Sequence, residues 1–305
     1  MSLTAQTAVV SVVIPVFNDA ERLRVCLSAL SRQSYPPGLY EVIVVDNGSM
    51  DDVAAVTKSF EFCRYYRETK IGSYAARNRG VRLARGNILA FTDADCIPDP
   101  GWLEHGVTEL TRRTTIGIVG GKIDVCFRKA PHSSLAELVQ QFTGSYRQKW
   151  HVSSEDHCAL TANVFTYRHV FEDVGPFADD MLSCGDKEWG KRVFKSGYEV
   201  VYGETTIVEH PARVTMRELL VKTRRVTGGE MALLQKLEPR MATVHFAFGV
   251  IRNLKAAICV FVTVGRDARF TARQKLVIVV GVVLINITAI AERVRLLCGG
   301  IPRRR

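Results

Sequence analysis

The feature that most limits the fold is the run Val9 to Phe17, VVSVVIPVF, which is apolar or β-branched at nearly every position and ends on Asn18-Asp19. Continuous rather than alternating apolarity marks a strand buried on both faces, as in a parallel sheet covered by helices on each side. Glu41 to Val45 repeats the style and stops on Asp46. Between the two runs, Leu23, Leu27 and Leu30 recur at i, i+4 and i+7, Asn18 and Glu21 have capping-box spacing, and Pro36-Pro37-Gly38 closes the helix. Strand, helix, strand in this order predicts a βαβ unit and an α/β fold. A further helix over about Tyr74 to Ala84 leads into a strand Ile88 to Phe91, whose end carries Thr92-Asp93-Ala94-Asp95.

After Pro100 the pattern mixes. Ile116 to Val119 runs into Gly120-Gly121, and Leu135, Leu138, Val139, Phe142 and Tyr146 form one helical stripe. A helix over about Asp186 to Lys195 follows the loop Leu182 to Gly185, then two strands, Glu199 to Val201 and Thr206 to Glu209, lead to His210-Pro211.

Composition narrows the class. With 305 residues, 47% of them hydrophobic, the chain is long enough for one large α/β domain plus an appendage and too apolar to be disordered. Its eight cysteines contain no C-x-x-C pair, which fits neither a disulfide framework nor a zinc site and predicts reduced thiols in a cytosolic compartment. Met1 to Thr7 has no basic leader, so no export signal is expected. The net charge of +10 is unevenly spread: residues 1 to 210 hold 23 Lys and Arg against 26 Asp and Glu, and residues 211 to 305 hold 18 against 5. The basic third also holds the apolar stretches Ala256 to Gly265 and Leu276 to Ala291. An anionic membrane surface explains both properties, whereas nucleic acid explains only the charge and is not expected as a partner.

The chemistry-bearing residues sit at strand ends, where open α/β sheets collect ligands. Asp93 and Asp95, two residues apart, have the spacing to hold Mg²⁺ or Mn²⁺ with open positions for phosphate oxygens; the same tripeptide also makes ordinary turns and caps. Asp46, before Asn47-Gly48-Ser49, can accept from a ribose or a base edge, or close an Asx turn. The helix opening at Gly72 offers small residues and the guanidinium of Arg77, suited either to phosphate or to a solvated basic face. Asp186 is placed either to take a proton from an attacking hydroxyl or to act as an N-cap, and His210 either to bind a metal or to serve as a satisfied structural histidine.

Taken in order, Ile14-Pro15-Val16-Phe17-Asn18, Val44-Val45-Asp46-Asn47-Gly48-Ser49, Ala76-Arg77-Asn78-Arg79-Gly80, Thr92-Asp93-Ala94-Asp95 and Gly185-Asp186-Lys187-Glu188-Trp189-Gly190-Lys191-Arg192 resemble the family 2 glycosyltransferases over about Val10 to His210. The resemblance implies the GT-A nucleotide-diphospho-sugar transferase fold, with a mostly parallel central sheet flanked by helices. It implies an inverting transfer from a UDP- or GDP-linked sugar to a glycan or lipid-linked acceptor, with a divalent cation. On the matching positions, Pro15, Phe17 and Asp46 would hold the nucleoside, Asp93 its ribose or the metal's water shell, Asp95 the metal, and Asp186 would be the base. Gly185 departs from the pattern, since many relatives carry Glu there. The wider run, with Gly72-Ser73-Tyr74-Ala75 and His210-Pro211-Ala212-Arg213, is similar to bacterial, notably cyanobacterial, polysaccharide-assembly members. A nucleotidyltransferase, or a non-catalytic polysaccharide- or membrane-binding scaffold on the same fold, would share part of this constellation. A Rossmann dehydrogenase is excluded, because no G-x-G-x-x-G follows the first strand.

These readings divide the chain into a catalytic domain, residues 1–212, and a basic, partly apolar helical region, residues 213–305. Leu276 to Ala291 gives sixteen uncharged residues, short of the roughly 20 needed to span a bilayer. Val244 to Gly265 is longer but contains Arg252 and Lys255. With Arg266, Arg269, Arg273, Lys275 and Arg303-Arg304-Arg305 beside them, the two stretches are expected to lie as a hairpin on the cytoplasmic face of the plasma membrane, peripheral or monotopic. Packing on the catalytic domain, or a homodimer interface, is the other use for such apolar faces.

Overall fold

The computed structural model describes residues 9–128, 133–144, 146–155 and 157–302. The expected absence of a leader in Met1 to Thr7 and the cationic Arg303-Arg304-Arg305 lie outside them. In chain order the elements are β1 (Val10–Val16), α1 (Ala20–Leu30), β2 (Tyr40–Asp46), α2 (Val53–Lys58), β3 (Cys63–Arg67), α3 (Ser73–Leu83), β4 (Ile88–Thr92), β5 (Ile97–Pro98), α4 (Trp102–Thr111), β6 (Ile116–Cys126), α5 (Leu135–Thr143) and α6 (Gln148–Ser153). They continue with β7 (Asn163–Tyr167), α7 (Arg168–Val174), α8 (Gly185–Lys195), β8 (Glu199–Pro211), α9 (Met216–Leu237), α10 (Ala242–Arg266) and α11 (Ala272–Leu297).

The chain forms two compact units. The first comprises residues 1–125, 146–180 and 185–211, and the second residues 126–145, 181–184 and 212–305. The first is built on an eight-stranded sheet in the order β3-β2-β1-β4-β7-β6-β8-β5. Strands β3, β2, β1 and β4 are parallel, as βαβ connections require, and β7 then joins antiparallel to both β4 and β6. Every residue of β1 is buried, which is the two-sided burial its unbroken apolar run demands. Val10, Val12 and Ile14 pack with Leu23, Leu27 and Leu30 of α1. Val13 meets α3, which lies so close that a Cβ at Gly80 would fall 2.3 Å from its Cγ1.

An aromatic cluster fixes the elements that carry the site. Phe91 of β4 packs on Phe171 and Phe177, and Phe177 in turn packs on Trp189 of α8 and Tyr74 of α3. Asn78 grips the same segment: its Nδ2 donates to Phe177 O at 2.9 Å, and Phe177 N donates to its Oδ1 at 3.0 Å. Helices α3 and α8 are thereby held through one buried junction.

Local details correct the sequence reading. Helix α1 begins at Ala20 with Asp19 in the cap position, because Asn18 adopts a left-handed backbone (φ 49°) and its Oδ1 accepts from Met50 N instead. The two expected strands before His210 are one strand, β8. Tyr146 lies beyond the end of α5, so it is not on that helical stripe. Asp186 stands inside the first turn of α8 and is therefore not its N-cap.

The second unit is helical. Val139 of α5, Leu219 of α9, Val260 and Val264 of α10, and Ile278 and Val282 of α11 share one core. Polar contacts are internal: Glu230 accepts from Arg252 at 2.9 Å and from Arg293 at 2.8 Å, and Asn253 donates to Asn286 at 2.8 Å. Helices α10 and α11 contain apolar segments of 23 and 26 residues, long and apolar enough to cross a membrane. The sixteen-residue count of uncharged positions thus understates the second element, whose helix continues through charged ends.

Candidate active site

The C-terminal ends of β1, β2, β3 and β4 and the loops after them carry Pro15, Phe17, Asp46, Asp93 and Asp95, and helix α3 after β3 carries Arg77, whereas Asp186 comes from α8 and His210 from β8. Pro15 is buried and sits beside Val45 in the β1–β2 register, and Phe17 follows it half-buried in the loop. Asp46 ends β2, buried. Its Oδ1 accepts from Ser49 N at 2.8 Å and its Oδ2 from the Tyr65 hydroxyl at 2.9 Å. The Asx turn is therefore formed. Burial pushes this carboxyl up, but the bonds from Ser49 and Tyr65 and the charge of Arg67 outweigh it, and the group titrates below the usual carboxylate range.

Asn47 was legible only as a turn residue, yet it joins three segments. Its Nδ2 donates to Glu68 O at 3.1 Å and Lys70 O at 2.8 Å, and its Oδ1 accepts from Gly72 N at 2.8 Å. Gly72 needs to be glycine, since its φ of 135° is closed to ordinary side chains. The same bond presents the start of α3, and so places Arg77, next to the β2 loop.

Arg77 is buried and pairs with Asp93. Its Nε has no partner among the described residues. Its guanidinium also lies 5.6 Å from the centroid of Tyr74, whose hydroxyl donates to Asp186 Oδ1 at 3.1 Å. One contiguous chain of contacts thus runs from the strand-end Asp93 to Asp186 on α8. Tyr74 went unnoticed in the sequence because a lone tyrosine on a helix carries no signature; the small residue at Gly185, facing it, was the available signal.

Asp95 meets His210 through a short two-stranded ribbon. Strand β5 pairs antiparallel with β8, Ile97 opposite Glu209, so one further step of register sets His210 level with Cys96 and next to Asp95. His210 Nε2 stands 3.6 Å from Asp95 Oδ1, and its Nδ1 lies 2.9 Å from Pro211 O. A carbonyl can only accept, so Nδ1 is the nitrogen that donates to Pro211 O, and Nε2 is the one turned to the carboxylate. The 3.6 Å gap is too long for a hydrogen bond. An imidazole nitrogen and a carboxylate oxygen at this separation are ligand types that a divalent cation takes. The Tyr146 ring packs against this one, tilted by 33°, with 4.1 Å between centroids.

Cys96 completes a group of three ligand atoms within 4.8 Å of one another. Its burial, with the charges of Asp95 and Asp93, pushes the thiol well up, which disfavours the thiolate. The remaining pair, one oxygen and one nitrogen, suits a hard or borderline divalent cation.

Residues 11–174 match the family Glycosyl transferase family 2. Over 234 residues the chain is 39% identical to glycosyltransferase AglE of Haloferax volcanii, covering 75% of each. It is 28% identical to the pre-mycofactocin glycosyltransferase of Mycobacterium tuberculosis over 75% of this chain, but spans only 48% of that relative. In three dimensions it is similar to mannosyltransferase PcManGT from Pyrobaculum calidifontis in complex with GDP-Man and Mn²⁺, with a TM-score of 0.58 and 18% identity over 96% of this chain and 74% of that one. The likeness establishes the GT-A fold. With more than half its length matched to the family and a relative at 39% identity, the chain belongs to glycosyl transferase family 2 and is a glycosyltransferase.

Proposed function

We propose that the chain transfers a sugar, with inversion, from a nucleoside-diphosphate donor, UDP- or GDP-linked, to a hydroxyl of a glycan or lipid-linked acceptor in cell-surface polysaccharide or glycolipid assembly. The observation that carries this is the Asp95–His210 pair, a carboxylate oxygen and an imidazole nitrogen facing each other at 3.6 Å, beside the pairing of buried Arg77 with half-buried Asp93. The Pyrobaculum neighbour, solved with a nucleotide sugar and Mn²⁺, supports the same ligand classes.

Asp95 and His210 would hold Mg²⁺ or Mn²⁺, which when bound supplies positive charge to the departing diphosphate. Pro15, Phe17 and Asp46 line the nucleoside end. Arg77, its charge only partly offset by Asp93, faces the phosphates, and Asp93 orients the ribose or the metal's water. Asp186 takes the proton from the acceptor hydroxyl as it attacks the anomeric carbon. The breaking bond leaves its electron pair on the diphosphate. Residues 213–305 form the region that docks at the cytoplasmic face of the plasma membrane, where exposed apolar side chains of α10 and α11 meet lipid.

A panel of nucleotide sugars, assayed with Mn²⁺ or Mg²⁺ for release of free nucleoside diphosphate, tests this reading. Metal-dependent release from one donor is the expected result. Pyrophosphate release would point to a nucleotidyltransferase, and no turnover of any donor with any acceptor would point to a scaffold.

A further inference from the structure

A carboxylate in the first turn of a helix is free to rotate unless something holds it, and a general base works only when its lone pair is aimed. Asp186 is held from one side. Its Oδ1 accepts from the Tyr74 hydroxyl at 3.1 Å and from Lys187 N at 2.9 Å, whereas Oδ2 accepts no hydrogen bond among the described residues. Tyr74 is itself immobile: its ring is 5% exposed and lies 5.7 Å from the Phe177 ring.

The third wall of this niche is Gly185. A Cβ there would fall 2.8 Å from Cδ2 and Cε2 of Tyr74 and 3.0 Å from Cζ, closer than real side chains tolerate. The residue begins α8, so helical backbone alone would accept alanine, and the restriction is one of space. Glycine at 185 and tyrosine at 74 therefore form a matched pair: the missing side chain of one makes room for the ring of the other, and the ring delivers its hydroxyl to the next carboxylate in the chain.

We infer that Tyr74 is a positioning residue for Asp186, turning one carboxylate oxygen toward itself so that the other is presented to the acceptor hydroxyl, and that Gly185 is required for this placement. The inference rests on the reading of Asp186 as the base. Tyr74 touches no reacting atom, and its part is orientation.

The test compares the parent, Tyr74→Phe, Asp186→Asn and the double variant of the full chain by nucleoside diphosphate release, with thermal unfolding alongside. Tyr74→Phe keeps the ring and removes only the hydroxyl. It is expected to lower kcat about tenfold, one hydrogen bond's worth of orientation, with donor KM and unfolding temperature unchanged. The double variant should be no slower than Asp186→Asn, because without a base there is nothing left to aim. Gly185→Ala should lower kcat in the parent and have no further effect beside Tyr74→Phe. If Asp186→Asn is inactive while Tyr74→Phe turns over like the parent, the inference fails and the base stands. Losses that multiply in the double variant would overturn it as well, by showing that Tyr74 acts independently. If Asp186→Asn keeps near-parental activity, the base reading itself fails.

Discussion

His210 Nε2 faces Asp95 Oδ1 across 3.6 Å, each delivered by one strand of the β5–β8 ribbon, with the ring's other nitrogen held against Pro211 O.

His210→Ala is accordingly expected to weaken Mn²⁺ affinity in the presence of nucleoside diphosphate by about tenfold, roughly 1.4 kcal/mol, with little change in unfolding temperature. Asp95→Ala should be the more severe, removing metal-dependent turnover. Titration calorimetry with Mn²⁺ measures the first. An unchanged affinity would return His210 to a structural role.

Asp186→Asn preserves the acceptor for Tyr74 and removes the basic oxygen. Turnover should fall by about 10² to 10⁴ while donor binding persists. Equilibrium binding of the nucleotide sugar, measured beside kcat, separates loss of the base from loss of the site.

The parallel half of the sheet could be read from the sequence because burial on both faces writes an unbroken apolar run, as in Val10 to Val16 and Val42 to Val45. Strand β3 has no such run: at the sheet's margin Cys63, Arg64, Tyr65 and Tyr66 are only partly buried, Arg67 is exposed, and two of the five residues are arginines. Asp46 at the end of β2 and Asp93 and Asp95 in the loop after β4 lie at one edge of the sheet because β1, β2 and β4 run parallel. What binds the motifs to one another was not legible. Tyr74 reaching Asp186, Asn47 reaching Gly72 and Tyr146 packing against His210 are all long-range contacts of single side chains with no periodicity.

Gly80→Ala tests the close approach of α3 to β1. The new methyl would meet Val13 Cγ1 at 2.3 Å in a region with no free volume. Overpacking of this kind costs about 1–3 kcal/mol, so urea unfolding should show a lower midpoint with an unchanged slope.

Glu137 gives the stability a dependence on acid. Its buried carboxylate caps α5 through Ser134 and pairs with Arg128; burial pushes it up, but these bonds prevail and hold it at about 2 against an ordinary 4.5. A depressed value means that the contribution is complete above the unfolded-state value and disappears as pH falls toward 2. Up to roughly 3 kcal/mol is at stake. Unfolding measured between pH 5 and pH 2 should lose stability in the parent, and Glu137→Gln should flatten that part of the curve.

Val244, Phe248, Ile251, Ile258 and Phe261 lie exposed along one stripe of α10. Full-length protein is expected to float with liposomes containing anionic lipid, and the pair Ile251→Glu and Ile258→Glu to reduce flotation several-fold, since each carboxylate resists insertion by about 2.5–3.5 kcal/mol at the centre of a helix in lipid. Flotation that ignores both substitutions, or a dimer in solution that they dissolve, would assign the stripe to a second copy of the chain.

The side-chain bonds of Asn47 to Glu68, Lys70 and Gly72 have a thermodynamic corollary. Because one amide already locks the β2 loop, the segment after β3 and the start of α3 together, the ordering entropy of that rim is settled when the chain folds and not when the donor arrives. The rim behaves as a rigid mould rather than a closing lid, and donor association there should proceed at a rate set by diffusion and charge, without a conformational step of its own.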